Sequence, residues 1–178
     1  MVDKVRFGYI GRISPEKGLD LILETLFNFK YEFEFEIIIA GSIENSYAKN
    51  LKSLYKRDDI KWVGWVDHKN IGNFFKTIDC LLVISNCIEN GPLTMYEALY
   101  YKKPMIITNT PNIKNIIYDN INGVLTKFND LEDLNFNIIK MYNFLKANHN
   151  FNYDIFQVKS CSDYSDEILR VYRSYIND

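Results

Sequence analysis

Residues 79–108 read "DCLLVISNCIENGPLTMYEALYYKKPMIIT". The stretch opens on a short apolar run, Cys80 to Ile84, and crosses a polar loop that ends in Gly91-Pro92. It resumes with apolar residues three and four apart, then closes on a second apolar run after Lys103-Pro104. The period thus changes from strand to helix and back. Two strands joined by a helical crossover run parallel, because a tight turn can join only antiparallel neighbours.

The alternation extends both ways. "KVRFGYIG", "FEFEIIIAG" and "DIKWVGWV" precede the stretch and "GVLT" follows it, which with "DCLLVIS" and "PMIIT" makes six strand candidates. "EKGLDLILETLFNFK", "SYAKNLKSLYKRD", "HKNIGNFFKTI", "PLTMYEALYYKK" and "NIKNIIYDN" carry helical spacing and predict five crossover helices. The fold class is therefore α/β: a doubly wound, parallel, six-stranded, Rossmann-like sheet with helices on both faces. "NDLEDLNFNIIKMYNFLKANHN" and "CSDYSDEILRVYRSYIND" predict terminal helices over about 130–178, beside a core over about 4–135. At 178 residues the chain suits one domain spanning 1–178 and is too short for two of ordinary size.

Composition removes several functions. The net charge is −2 and the basic residues are scattered, which argues against a nucleic-acid partner. Cys80, Cys87 and Cys161 are too widely spaced for a zinc site or a disulfide framework and read as reduced thiols. No apolar run approaches the roughly 20 residues that span a bilayer, and the N-terminus lacks a cleavable apolar leader. A soluble, cytoplasmic chain is expected.

In doubly wound sheets ligands bind beyond the carboxyl ends of the strands, near the point where strand order reverses. After the first strand the loop reads "GYIGRISPEKGLD". Its glycines, Gly8, Gly11 and Gly18, do not fit the dinucleotide fingerprint, and no Gly-Lys-Ser/Thr follows to make a triphosphate loop. Arg12 and Lys17 remain, two cations near one strand terminus, suited to a diphosphate through charge-assisted hydrogen bonds. The alternative is a solvated turn in which Ser14 caps the helix.

In "ENGPLTMYEAL", Gly91 as cap and Pro92 as first helical residue would leave the amides of Leu93, Thr94 and Met95 free to face an anion. At about 100° per residue, Met95, Leu99, Pro92, Tyr96, Tyr100 and Leu93 form one apolar arc with Glu97 at its edge. From there Glu97 can accept from neighbouring sugar hydroxyls. Glu89, in the loop, can address a different ring. Alternatively Glu97 is an ordinary exposed helix residue and Glu89 a carboxylate favoured by the helix start. A hydrolytic carboxylate pair fits poorly, because a carboxylate beside a helix start stays ionised. His68 and His149 read as structural or solvated, and Asp79 as a turn or capping residue.

Taken together, "YIGRISPEKGLDLILETL", "EIIIAG", "IKWVGWV", "IDCLLVIS", "ENGPLTMYEAL" and "NGVLT" resemble the C-terminal, donor-binding domain of retaining glycosyltransferases of the GT-B fold, in the group 1 or family 4-like set. The resemblance implies transfer of a hexose, with retention and without a metal or cofactor, from a UDP- or GDP-linked donor to a glycan or lipid-linked acceptor. It implies that Glu97 holds the ribose and Glu89 the donor sugar, and that Arg12 and Lys17 hold the diphosphate and stabilise the leaving group. Arg12, Lys17 and Glu89 would then be the catalytic set. Gly11, Asn90, Gly91, Pro92, Leu93 and Thr94 would complete the cradle, while Gly64, Trp65 and Val66 would flank the base. Two departures stand out: "TPNIKNII" places Asn115 where the family has a glutamate, and Pro92 removes one amide from the cradle. The resemblance also implies a missing N-terminal acceptor-binding domain, so the chain is expected to be a fragment that binds donor without transferring sugar. Location at the inner face of a membrane would come only through the full-length enzyme. The alternative is a non-catalytic, Rossmann-like nucleotide-binding or interaction module.

Overall fold

The computed structural model describes residues 4–159 and 161–176. Six strands, β1 (Lys4–Ile10), β2 (Glu34–Ala40), β3 (Ile60–Gly64), β4 (Cys80–Val83), β5 (Met105–Thr108) and β6 (Val124–Thr126), form one sheet in the order β3-β2-β1-β4-β5-β6. Every neighbouring pair is parallel. The helices are α1 (Leu19–Asn28), α2 (Ser46–Leu54), α3 (Ile71–Thr77), α4 (Leu93–Tyr100), α5 (Leu131–Lys146) and α6 (Cys161–Ile176). The doubly wound architecture expected from the alternating periods is the one observed.

β4 and β5 are continuous apolar runs because both faces of the sheet are covered there. On one face Val5, Phe7 and Tyr9 pack with Ile37 and Ile39 against Leu23 and Leu26 of α1 and Ile138 of α5. On the other, Ile38, Leu81 and Val83 meet Phe75 of α3 and Met95 and Leu99 of α4. Gly8 faces this second layer, and a Cβ there would lie 2.5 Å from Ile78. The missing side chain lets the end of α3 settle onto the sheet.

The seam between β1 and β4 is narrow. Only Phe7↔Cys80 and Gly8↔Leu81 are in register across it, whereas β1 pairs with β2 along its whole length. At its lower end Arg6 grips Asp79 with two guanidinium bonds, at 3.0 and 2.7 Å, and its amide donates to the same carboxylate. Asp79, read from sequence as a turn or capping residue, is therefore an ion-pair latch across the seam.

The fifth predicted crossover helix, 112–120, is only a single 3-10 turn over Ile113–Asn115. Buried Asn122 explains the difference: its side chain accepts from the Tyr118 amide and donates to the Ile116 carbonyl. It thus takes over backbone groups that a helix would have paired.

α6 is exposed on all sides over residues 162–176. At helical spacing Tyr164, Ile168, Val171, Tyr172 and Tyr175 make one apolar arc, opposite Asp166, Glu167, Arg170 and Arg173. Asn177 and Asp178, expected in this helix, lie outside the described residues, as does the Cys161 side chain. Cys80 is a buried free thiol and Cys87 a half-buried one. Among the described residues no helix is long and apolar enough to cross a membrane.

Candidate functional site

Strand order reverses between β1 and β4, so the loops leaving these strands diverge and open a cleft of about 360 Å³. Gly11, Arg12 and Lys17 line it from the β1 side. Ser85, Glu89 and residues 91–94 line it from the β4 side. Eight of the residues singled out from sequence, Gly11, Arg12, Lys17, Glu89, Gly91, Pro92, Leu93 and Thr94, meet here.

The loops are tied to each other. The Asn86 side chain donates to the Pro15 carbonyl at 2.9 Å, and its amide to the Glu16 carbonyl at 2.9 Å. Gly18 adopts φ +58°, and a Cβ there would lie 2.5 Å from the Ile84 carbonyl oxygen, so this turn fits against the end of β4 only as glycine. Tyr9 holds the Arg12 carbonyl at 2.7 Å. Ser14 precedes the short Pro15–Lys17 turn without a side-chain capping bond, contrary to the capping alternative.

Charge is organised around Lys17 and Glu89. Lys17 Nζ lies 2.5 Å from Glu89 Oε1, which also accepts from Ser85 Oγ at 3.1 Å. Thr110 Oγ1 donates to the Glu89 carbonyl at 3.1 Å, fixing the loop from the β5 side. Arg12 is more mobile in its surroundings: its side chain is 70% exposed and meets Glu16 at 2.6 Å. The free cleft therefore holds two cations, each provided with a carboxylate that an incoming anion can displace.

The start of α4 differs from the sequence reading by one residue. Pro92 is the N-cap, with φ −63° and an extended ψ of 134°, and Leu93 is the first helical residue. Proline's fixed φ suits either position, and ψ decides. Because the Pro92 carbonyl accepts from Met95 at 2.9 Å, Met95's amide is not free. The first-turn amides that remain without an intrahelical acceptor are those of Leu93 and Thr94. The apolar arc is also narrower than expected. Met95, Ala98 and Leu99 are buried, whereas Leu93 and Tyr100 are largely exposed.

Five residues lie outside the cleft lining. Asn90 is exposed and accepts from Asn112 at 2.8 Å. Gly64 ends β3; Trp65 beyond it is 70% exposed, and Val66 faces a separate apolar groove with Val63 and Phe74. Glu97 sits one turn along α4 from Thr94, half-buried, and burial raises its carboxyl pKa, opposed by His68. His68 Nδ1 lies 4.0 Å from Glu97 Oε1, bringing the loop after β3 to the α4 face. His149 instead stacks on Phe144 and contacts the Asn120 carbonyl. Asn115 is exposed on its short turn.

Sequence reasoning missed Ser85, Tyr9, Asn86 and Thr110, whose partners come from other loops, and the His68–Glu97 pairing. Only Ser85, four residues before Glu89, left a local trace. Among the described residues no group of three or more His, Cys, Asp or Glu is placed to hold a metal ion. The donors converging on the cleft are cationic side chains and helix-start amides, a set suited to an anion.

Comparison with known proteins agrees with this architecture. Residues 2–157 match the family model for glycosyl transferases group 1. The chain is 28% identical over 181 residues to a 41.2 kDa protein from the cps region of Klebsiella pneumoniae, covering 97% of this chain and 47% of that one. Its fold is similar to Anabaena HepE, solved in complex with UDP and glucose (TM-score 0.71, 19% identity, 81% of this chain and 40% of that one). It is also similar to sucrose-phosphate synthase from Thermosynechococcus elongatus (TM-score 0.76, 16% identity, 99% and 47%). The chain thus spans less than half the length of these proteins. With the model matched over most of its length, the chain belongs to the glycosyl transferases group 1 family.

Proposed function

We propose that residues 1–178 form the donor-binding domain of a retaining, GT-B-type glycosyltransferase that moves a hexose from a UDP- or GDP-linked donor to a glycan or lipid-linked acceptor. The observation that carries the reading is the cleft at the β1/β4 reversal, where Arg12 and Lys17 face the Leu93 and Thr94 amides. Arg12, Lys17 and those amides hold the diphosphate. As the glycosidic bond to phosphate breaks, negative charge grows on the leaving oxygen, and fixed cations and amides stabilise it without rearranging. This assigns charge neutralisation to the protein and calls for no metal or cofactor. Glu97 accepts from the ribose hydroxyls and Glu89 from the donor sugar, after the diphosphate takes over Lys17. Gly11 and Gly91 leave room for close approach, Asn90 and Pro92 shape the loop, and Gly64, Trp65 and Val66 flank the base.

The acceptor is held by a further domain, N-terminal in the full-length enzyme, which works in the cytoplasm or at the inner face of the membrane. Two observations support this: the chain spans less than half of its relatives, and α6 presents an apolar face that nothing described here covers. By itself the chain binds donor and does not transfer, because transfer needs the acceptor held in a closed, water-poor cleft. Calorimetric titration with UDP, GDP and ADP tests the reading: saturable binding of one nucleotide supports it, and binding of none overturns it. Acceptor-dependent transfer by the chain alone would overturn the division of labour.

A further inference from the structure

The Glu97 carboxylate is a half-buried anion with no hydrogen bond among the described side chains and one facing charged group, His68 Nδ1 at 4.0 Å. α4 carries no other ionisable charge besides Glu97, and its tyrosines stay neutral at physiological pH. On the other side, the turn that bears His68 carries Asp67 and Lys69. Asp67 is occupied in accepting from the Lys69 amide at 2.9 Å. His68 is 90% exposed, so it contributes little packing and is free to gain and lose a proton in the range where imidazole titrates.

A carboxylate that is to accept from two ribose hydroxyls must stay ionised, and withdrawal from water works against that. A ribose laid over Glu97 removes more water and sharpens the conflict. We propose that His68 is a positioning residue for nucleotide capture: as imidazolium it faces the Glu97 carboxylate across the α4 boundary, keeps it ionised and oriented, and so extends donor binding to lower pH. This rests on the reading that Glu97 holds the ribose. In the free protein His68 is Glu97's charge partner, and in the complex its charge supports a carboxylate that the ribose has covered.

The sign follows from the two ionisations. Near pH 8 His68 is neutral and contributes little. As pH falls through the imidazole range its charge appears and resists protonation of Glu97. Loss of the imidazole therefore moves the acid limb of nucleotide affinity upward, by about 0.7 pH unit for unit charges 4 Å apart in water.

The test is UDP affinity by calorimetry between pH 5 and 8 for the wild type, His68→Ala, His68→Lys and Glu97→Gln, with thermal midpoints measured alongside. His68→Ala is expected to match the wild type within about twofold at pH 8 and to bind roughly three- to fivefold more weakly on the acid limb, with an unchanged midpoint. His68→Lys, with a permanent charge, should restore the acid limb. Glu97→Gln should weaken UDP across the range. If Glu97→Gln weakens UDP while His68→Ala follows the wild-type profile, or if His68→Lys behaves like His68→Ala, the inference is overturned and the ribose reading stands. If Glu97→Gln binds UDP at full strength, the ribose reading itself falls.

Discussion

Glu89→Gln should make the chain bind a bare nucleoside diphosphate more tightly, although Glu89 belongs to the donor site. In the free cleft its carboxylate occupies the Lys17 ammonium at 2.5 Å, with the two side chains only 18% and 30% exposed. A diphosphate reaching Lys17 must displace that carboxylate and approach its charge. Exposed pairs contribute under about 1 kcal/mol, whereas unit charges 4 Å apart near a protein surface attract by up to about 4 kcal/mol before desolvation is subtracted. A pair mostly withdrawn from water lies near 1 kcal/mol net, so its removal should tighten UDP roughly fivefold. Glutamine keeps the shape and can still bond Ser85, which isolates the charge. Calorimetry on the wild type, Glu89→Gln, Lys17→Ala and the double variant reads the coupling directly. Most of the gain should vanish when Lys17 is absent. Unchanged or weaker UDP binding by Glu89→Gln would refute the displacement argument, and a full gain without Lys17 would place the effect elsewhere.

Other outcomes follow from single contacts. Replacing Arg12 and Lys17 together by alanine should weaken UDP by at least about tenfold, since each charged hydrogen bond contributes roughly 1.5–3 kcal/mol; equal affinity would place the diphosphate elsewhere. Because burial raises the Glu97 carboxyl pKa, the folded state loses stability as pH rises through the ordinary carboxylate range. Glu97→Gln should therefore melt higher than the wild type at pH 7 and level with it near pH 4, as differential scanning fluorimetry would show. Glu36 behaves oppositely: Lys61 and Lys4 hold its carboxyl below the usual range, so its stabilisation exists above that range and is lost as acid reaches the lowered value. Glu36→Gln should lower the melting midpoint by about 2–4 °C at pH 7, with the difference closing in acid. Gly18→Ala should destabilise the chain and weaken UDP together, because a Cβ there meets the Ile84 carbonyl.

The sheet was legible because its central strands are short apolar runs separated by helical periods, and parallel pairing leaves little choice of connection. The 112–120 segment has the same periodicity but is governed by Asn122, a polar residue whose burial no local pattern announces. At the site, Arg12, Lys17, Glu89 and residues 91–94 were legible because they adjoin strand ends and a helix start, and topology gathers such places. The one-residue error at Pro92 arose because proline fixes φ and leaves ψ to the surroundings. The pairing of Lys17 with Glu89, and of His68 with Glu97, depends on loops brought together by strand order. Sequence spacing carries no record of either.

The narrow β1–β4 seam has a consequence for how the molecule breathes. The strands on either side are held to their own neighbours by longer or additional ladders, so the seam, latched below by Arg6 and Asp79, is where a partial opening meets least resistance. The cleft lies directly above it, and anything bound to Lys17 and the α4 amides at once bridges the two halves of the sheet. A bound diphosphate then acts as a second latch, and its binding energy is added to the cost of parting the halves. Deuterium uptake at the amides of Gly8 and Leu81 should slow on nucleotide binding, although neither residue touches the ligand, while frayed positions of α6 exchange at their former rate.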